Sequence, residues 1–348
     1  MFSDRTVRLS NFFTRLKHWE YWPFGIIQLP VFIYFFWLSI RARSVVFFSA
    51  SNPGITMGGM FGESKYDVLS KVPKAYVPST ILVGSDEPVE GILLKMKENA
   101  LSFPVICKPD LGERGFMVKR IDDVHSLEKY MLLMKHPFLI QELVDLPLEF
   151  GVFYRRLPNE KSGRVTSVVM KEMLTVEGDG EQTLQQLVFG NARARLQWPI
   201  LKNRYADRWN AVIPSGEVLE LVSIGNHCLG TKFLDGSHLI NDQLSCTFDA
   251  ISKQIDGFYF GRFDLRCASV DDLYQGNIRV LELNGCGAEP AHIYHPGFSI
   301  FKAVSVLLNH WRSIFVIARA NKKKGVQYIQ LKEAMMHYKK FKLATAVS

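Results

Sequence analysis

Polar and apolar residues alternate with a period of two in several short segments of the chain. Gly261-Arg262-Phe263-Asp264 and Val280-Leu281-Glu282-Leu283-Asn284 both read as strands. Residues two apart on a strand share a face, so Arg262 projects with Asp264, and Glu282 with Asn284. Upstream, a β-branched run from Phe103 reaches Lys108 and is stopped by Pro109. The loop Gly112-Glu113-Arg114-Gly115 follows, and Phe116-Met117-Val118 resumes a strand. Helical spacing over 126–134 leads to a strand at Phe138-Leu139-Ile140-Gln141-Glu142-Leu143-Val144, and Glu149 opens another that runs through Phe150 to Tyr154. Val45 to Ala50 also reads as a strand, closed by the turn Asn52-Pro53-Gly54. Toward the C-terminus, apolar positions at helical spacing over 298–308 and 311–320 predict a closing helix. A tail helix follows, with Leu331, Ala334, Met335, Tyr338 and Phe341 on one face and Lys332, Lys339, Lys340 and Lys342 elsewhere.

One segment has neither period. Trp22 to Ile40 is almost continuously apolar and just reaches the ~20 residues needed to span a bilayer. Aromatic residues gather at both ends, as membrane interfaces favour, and Arg41-Ala42-Arg43 stands where a signal peptide would carry small residues for cleavage. Gln28 and Pro30 interrupt it, and basic residues flank both sides. Three readings stand: a single span, a kinked helix lying in the membrane interface, or a buried helix covering the core.

Composition narrows the class. With 348 residues, 47% of them hydrophobic, the chain buries a core large enough for two or three subdomains. A net charge of +8 and the run Lys322-Lys323-Lys324 leave two readings: contact with an anionic membrane surface through residues 15–43 and the C-terminal tail, or a solvated terminal helix docked on the domain. No recognised nucleic-acid module accompanies the charge. Arg193, Arg195, Lys202, Arg204 and Arg208 form a basic stretch that reads either as an acidic-substrate site or as a solvated surface. The five cysteines lack Cys-x-x-Cys spacing and read as reduced; Cys286 lies beside the Glu282–Asn284 strand. His292 and His295 share a loop whose readings are packing, substrate contact or metal binding.

The chemistry sits in the alternating strands. Asp264, Glu282 and Asn284 offer the oxygen ligands that hard cations take, and Arg262 offers a guanidinium that clamps phosphoryl oxygens. Lys108 at a strand end and the glycine loop after it suit phosphates, through charge and through backbone N–H groups. The loop is no Walker A, which needs Gly-Lys-Ser/Thr opening a helix.

The order of these parts resembles the ATP-grasp superfamily of ligases over roughly residues 101–320. The resemblance implies an α+β ATP-grasp fold, two α+β subdomains gripping ATP, with a short pre-ATP-grasp region before them. It implies that Lys108 and Lys171 hold the phosphates of ATP under Gly112 and Gly115. Glu142, Leu143 and Val144 become the adenine hinge, and Glu149 the ribose carboxylate. Asp264, Glu282 and Asn284 become ligands of two Mg²⁺ ions, for which Mn²⁺ can substitute. Arg262, with Lys171, becomes the catalytic cation pair that stabilises an acyl phosphate. Met173 to Leu187 is similar to a segment of cyanophycin synthetases and glutathione-forming ligases, with Thr183 capping a helix that bears Leu184, Leu187 and Val188. The metal-strand order is also similar to D-alanine–D-alanine ligases, whose full N-terminal domain and histidine-glycine substrate loop have no counterpart here.

The expected division is 1–40, an apolar and basic segment; 41–100, a pre-ATP-grasp region in which the glycines of Met57 to Lys65 either help bind the acid substrate or connect flexibly; 101–320, the ATP-grasp domain; and 321–348, a basic tail. The expected activity is an ATP- and Mg²⁺-dependent ligation of a small carboxylate to an amine, in the cytoplasm, with attachment to the inner face of the membrane. A regulatory ATP-binding protein and an ATP-grasp kinase are the alternatives.

Overall fold

The computed structural model describes residues 4–112, 115–222 and 230–345. Two helices open the chain, α1 (Asp4–Lys17) and α2 (Phe24–Ala42), joined through a 3₁₀ turn at Trp19–Tyr21. α2 takes up the long apolar run and ends at Arg43, whose φ of 54° turns the chain away. It rests on the body along one side: Ile27 and Val31 pack with Ala303 and Leu307, and Leu38 and Ala42 with Ile314 and Ala318.

The strand expected at Val45–Ala50 is a 3₁₀ turn over Phe47–Ala50. Its apolar residues are buried, but no strand lies alongside, so the backbone closes on itself: Ser49 N donates to Val46 O and Ser51 N to Phe48 O. The glycine-rich run after it is packed. Gly58 and Gly59, at φ of 68° and 75°, lie backbone to backbone against Gly285, where a Cβ on Gly59 would meet Gly285 N at 2.8 Å. Cys286 N and Gly287 N donate to Gly58 O and Gly59 O. Of the two roles expected for this run, flexible connection is the one the packing removes. The short helix α3 (Lys65–Leu69) follows, capped by the Ser64 hydroxyl.

The first sheet holds β1 (Thr80–Val83), β2 (Val105–Pro109), β3 (Lys119–Ile121) and β4 (Phe138–Glu142) in the order β1-β4-β2-β3, all antiparallel. α4 (Val89–Glu98) and α5 (Val124–Leu133) cover it, burying Ile92 and Leu127 against Val83, Val105 and Ile140. β1 and α4 thus belong to this unit, and the boundary expected at residue 100 cuts through it. Phe116 to Val118 form a turn rather than a strand; pairing with β2 starts at Lys119.

The second sheet begins with β5 (Leu148–Arg155) and β6 (Arg164–Glu172). A small inserted unit follows: β7 (Leu174–Glu177), α6 (Leu184–Gly190), α7 (Ala192–Leu196), α8 (Trp198–Arg204) and β8 (Val218–Val222) around Leu184, Val188, Trp209 and Ile213. Thr183 opens α6 with a capping box closed by Gln186. The chain then adds β9 (Lys232–Asp235), α9 (Asp242–Lys253), β10 (Phe260–Cys267), α10 (Val270–Gln275) and β11 (Ile278–Asn284). The antiparallel order is β11-β10-β5-β6-β9.

Alternation along these strands sorts the two faces. Phe150, Val152, Tyr154, Phe263 and Leu265 turn to α9 and bury there with Phe248. The opposite face is apolar where Phe153 and Phe260 meet α11 (Ile300–Lys323) and polar at its other end. α11 runs past the boundary expected at 320. The tail helix α12 (Leu331–Thr345) folds back so that Tyr338 meets Phe61 edge to face at 5.5 Å.

Candidate active site

The polar end of the second sheet faces a cleft of about 1140 Å³ that the first sheet also lines. Pairing register builds it. Glu149 on β5 lies opposite Lys171 on β6 and Arg266 on β10, while Asp264 lies opposite Gly151 on one side and Glu282 on the other. Arg262 and Asn284 are likewise paired across β10 and β11. Gly151 must be a glycine: a Cβ there would stand 2.7 Å from Val169 Cγ1 and 3.1 Å from Arg262 Cδ, closing the path by which the guanidinium crosses the sheet.

The charges are closely coupled. Arg262 Nε and Nη2 donate to the Asp264 carboxylate at 3.2 and 2.9 Å, and its Nη1 donates to Glu289 O at 3.0 Å. Lys171 Nζ stands 3.1 Å from Asp264 Oδ1 and 3.0 Å from Glu149 Oε1. Asn284 Nδ2 donates to Asp264 Oδ2 at 2.8 Å. Burial works against the Asp264 charge, yet Arg262 and Lys171 outweigh it and hold the carboxyl at about 2. Burial also works against Lys171, and Asp264 and Glu149 more than restore its charge. Glu282 is ion-paired with Lys65, which with Lys108 keeps its carboxyl below the usual range despite burial.

Lys108 reaches across from the first sheet. Its Nζ donates to Gln141 Oε1 at 2.9 Å and to Leu281 O at 3.0 Å, joining β2 to β11. Burial pushes it down to about 8, against the attraction of Glu282. Glu142, Leu143 and Val144 line the same cleft; Glu142 N donates to Ser79 O, and Val144 O accepts from Arg266 Nη1 at 3.1 Å. Gly112 and Gly115 line it as well, with φ of 150° and 71°; Glu113 and Arg114 between them lie outside the described residues.

All twelve residues singled out from the sequence therefore border one cleft. Four more that bear on its charge were missed. Arg266 pairs with Glu149 at 3.0 Å and continues the alternation of Arg262 and Asp264, a signal present in the sequence. Lys65 comes from a segment 217 positions from Glu282, with no local signal. Gln141 holds Lys108, and Glu289 accepts from Tyr294 Oη at 2.6 Å and from Gln28 Nε2 of α2 at 2.5 Å.

As for cations, no three His, Cys, Asp or Glu side chains cluster as a metal site among the described residues. Asp264, Glu282 and Asn284 supply two carboxylates and an amide, all hard oxygen donors on one sheet face. That set suits Mg²⁺, which takes few protein ligands and fills its shell with water and phosphate oxygens.

Other candidates resolve into structure. Cys286 is buried and its thiol pushed up to about 12, so it is no nucleophile. Cys228 lies outside the described residues. His292 Nδ1 shares a 2.6 Å hydrogen bond with Ser167 Oγ, and His295 Nδ1 accepts from Asp235 N, so both pack the loop. The basic stretch is divided. Arg193 forms a buried pair with Glu20 at 2.9 Å, Arg208 pairs with Glu217 at the surface, and Arg204 lines the cleft while donating to Leu221 O. The sequence Gly225 to Lys232, another mixed polar run in which Thr231 and Lys232 are candidate substrate contacts, falls partly outside the described residues (225–229); Thr231 is buried and Lys232 pairs with Glu172.

No protein-family model and no curated protein matches the sequence. Among solved structures, the chain is similar to the VanG D-Ala:D-Ser ligase of Enterococcus faecalis, at 14% identity and a TM-score of 0.41 over 75% of this chain and 64% of that one. It is similar to the D-alanine–D-alanine ligase of Bacillus anthracis, at 12% identity and a TM-score of 0.43 over 78% and 72%. A bifunctional glutathione synthetase of Pasteurella multocida is a third, at 15% identity and a TM-score of 0.38 over 70% and 35%. The chain thus spans just under two thirds of the first of these structures and about a third of the last.

Proposed function

We propose that the cleft is the active site of an ATP- and Mg²⁺-dependent ligase that joins a carboxylate to an amine in the cytoplasm. The observation that carries this is the convergence of Lys108 from one sheet with Lys171, Arg262, Asp264, Glu282 and Asn284 from the other on a single cleft. In this reading Lys108 and Lys171 neutralise the phosphates, with the backbone at Gly112 and Gly115 above them, and Glu142 to Val144 border the adenine. Glu149, held by Lys171 and Arg266, turns its remaining acceptor capacity to the ribose. Asp264, Glu282 and Asn284 hold two Mg²⁺ ions, or Mn²⁺, which when bound neutralise and polarise phosphoryl oxygens.

An amine does not displace oxide from a free carboxylate, so the acid is activated first. Its oxygen attacks the γ-phosphorus, the bond to the β-phosphate oxygen breaks, and ADP leaves an acyl phosphate. The amine then attacks the carbonyl carbon, phosphate departs, and the amine gives up a proton. Arg262, fixed by Asp264 and by the Glu289 carbonyl, faces the oxygens on which charge gathers.

The test is phosphate release by purified protein with ATP and Mg²⁺, against pools of amino acids, dipeptides and small acids with and without an amine, followed by mass analysis. Release that needs both partners and yields a condensed product is expected. A phosphorylated acid as end product would make the protein a kinase, and ATP binding without release in any pool would make it regulatory.

Lys108 gives the cleft a pH dependence. Its pKa is depressed in the free protein and rises beside phosphate oxygens, so nucleotide binding takes up a proton as pH passes about 8. Affinity is full below that value and falls above it by up to ~tenfold per pH unit. Calorimetric titration in buffers of different ionisation heat reads both effects; affinity constant through this range would remove Lys108 from the phosphates.

A further inference from the structure

The two N-terminal helices leave apolar stripes on their outer sides. α1 turns its polar side to the protein: Arg195 Nε and Nη2 donate to Asn11 Oδ1 and Thr14 Oγ1 at 3.1 and 3.2 Å. Leu9, Phe12, Phe13 and Leu16, one stripe at helical spacing, stand 57–60% exposed. α2, though its inner side buries Ile27, Val31 and Leu38 beside Gln28, leaves Ile26, Leu29, Ile33, Phe36 and Ile40 exposed by 57–76%. Trp22 Nε1 donates to Leu16 O at 3.3 Å, tying the end of one helix to the start of the other. Exposed apolar stripes of this length are rare on soluble monomers and mark interaction surfaces.

Farther along α2, a groove of about 630 Å³ separates it from α11. Tyr34 and Trp37 border it, with Arg41, Arg312, Arg319 and Lys323. The Phe315 ring lies between Arg41 and Arg319, with centroid distances of 5.7 and 5.5 Å, and Arg41 also covers Trp37 at 4.9 Å. No acidic residue lines the groove, and among the described residues none of the four cations is ion-paired with a carboxylate.

We propose that this face seats in the interface of an anionic phospholipid bilayer, with α1 and α2 lying in its plane and the groove taking a phosphate headgroup. Fixed guanidinium groups match the fork geometry of a phosphodiester, and the bare stripes reach the acyl chains beside it. Nucleic acid would satisfy the cations but not the stripes. α2 and α11 are each long and apolar enough to cross a bilayer. But α2 packs along one side on α11 and the Glu289 loop, and α11 carries Arg312 and Arg319 within its length, so in the proposed seating both lie along the surface.

The experiment is co-sedimentation of the full chain with vesicles of phosphatidylcholine, alone or mixed with phosphatidylglycerol. Expected is binding to the mixed vesicles that weakens with salt. The double variant Arg312→Gln/Arg319→Gln should bind them about 25-fold less well, at roughly fivefold per surface charge, and Ile33→Glu should weaken binding to both vesicle types. All three positions are exposed, so thermal melts matching the wild type separate lost binding from lost fold. Equal binding to neutral and anionic vesicles, or none lost on removing both arginines, overturns the headgroup site. Absence of vesicle binding together with self-association abolished by Ile33→Glu overturns the proposal in favour of a second copy.

Discussion

Glu282→Gln is expected to lower turnover by about 10³-fold or more while leaving the fold intact, because it removes the charge of the oxygen donor we propose as a metal ligand and keeps its shape. The effect reaches beyond the ion. Glu282 is the charge that counters the burial of Lys108 and the partner of Lys65. Without it the Lys108 ammonium falls further, and nucleotide binding weakens at neutral pH as well as above it. Steady-state phosphate release across a Mg²⁺ series, with calorimetry for the nucleotide, separates the two losses. Full activity with an unchanged Mg²⁺ requirement would sink the metal assignment.

Asp264→Asn is expected to cost about 3–5 kcal/mol of stability in addition to activity, the range for removing one partner of a buried ion pair. Asp264 balances Lys171 and Arg262 together, so the amide leaves two buried cations facing each other across β6 and β10. The pH dependence has a definite sign. The folded-state carboxyl titrates at about 2 against an ordinary 3.8, so its stabilisation is complete above 3.8 and is lost as pH falls toward 2. Urea unfolding of both proteins should therefore show a gap that is full at neutral pH and narrows only in strong acid. A gap under 1 kcal/mol at neutral pH would mean that Asp264 is not the anchor of these cations.

Those two carboxylates were legible in the sequence because strand alternation is local: a period of two places Arg262 with Asp264 and Glu282 with Asn284 before any fold is known. The same rule reaches Arg266, one step farther along β10. Lys65 was not legible, since the contact joins a five-residue helix to a strand hundreds of positions away. Val45–Ala50 failed for a related reason. Its residues suit a strand, but a strand needs a neighbour to pair with, and tertiary packing put helices around it instead. The apolar segment of α2 was visible at once, yet its length could not tell which side faces the protein. That depended on Gln28 meeting Glu289, residues 261 positions apart.

Three carboxylates of the cleft are each held by cations: Glu282 by Lys65, Glu149 by Lys171 and Arg266, and Asp264 by Lys171 and Arg262. Under the proposed function, filling the cleft would be an exchange of partners: phosphate oxygens would draw the lysines and arginine away, and divalent ions would take the carboxylates left behind. Neither newcomer would complete that exchange alone, so nucleotide and ion would each raise the affinity for the other by the same factor.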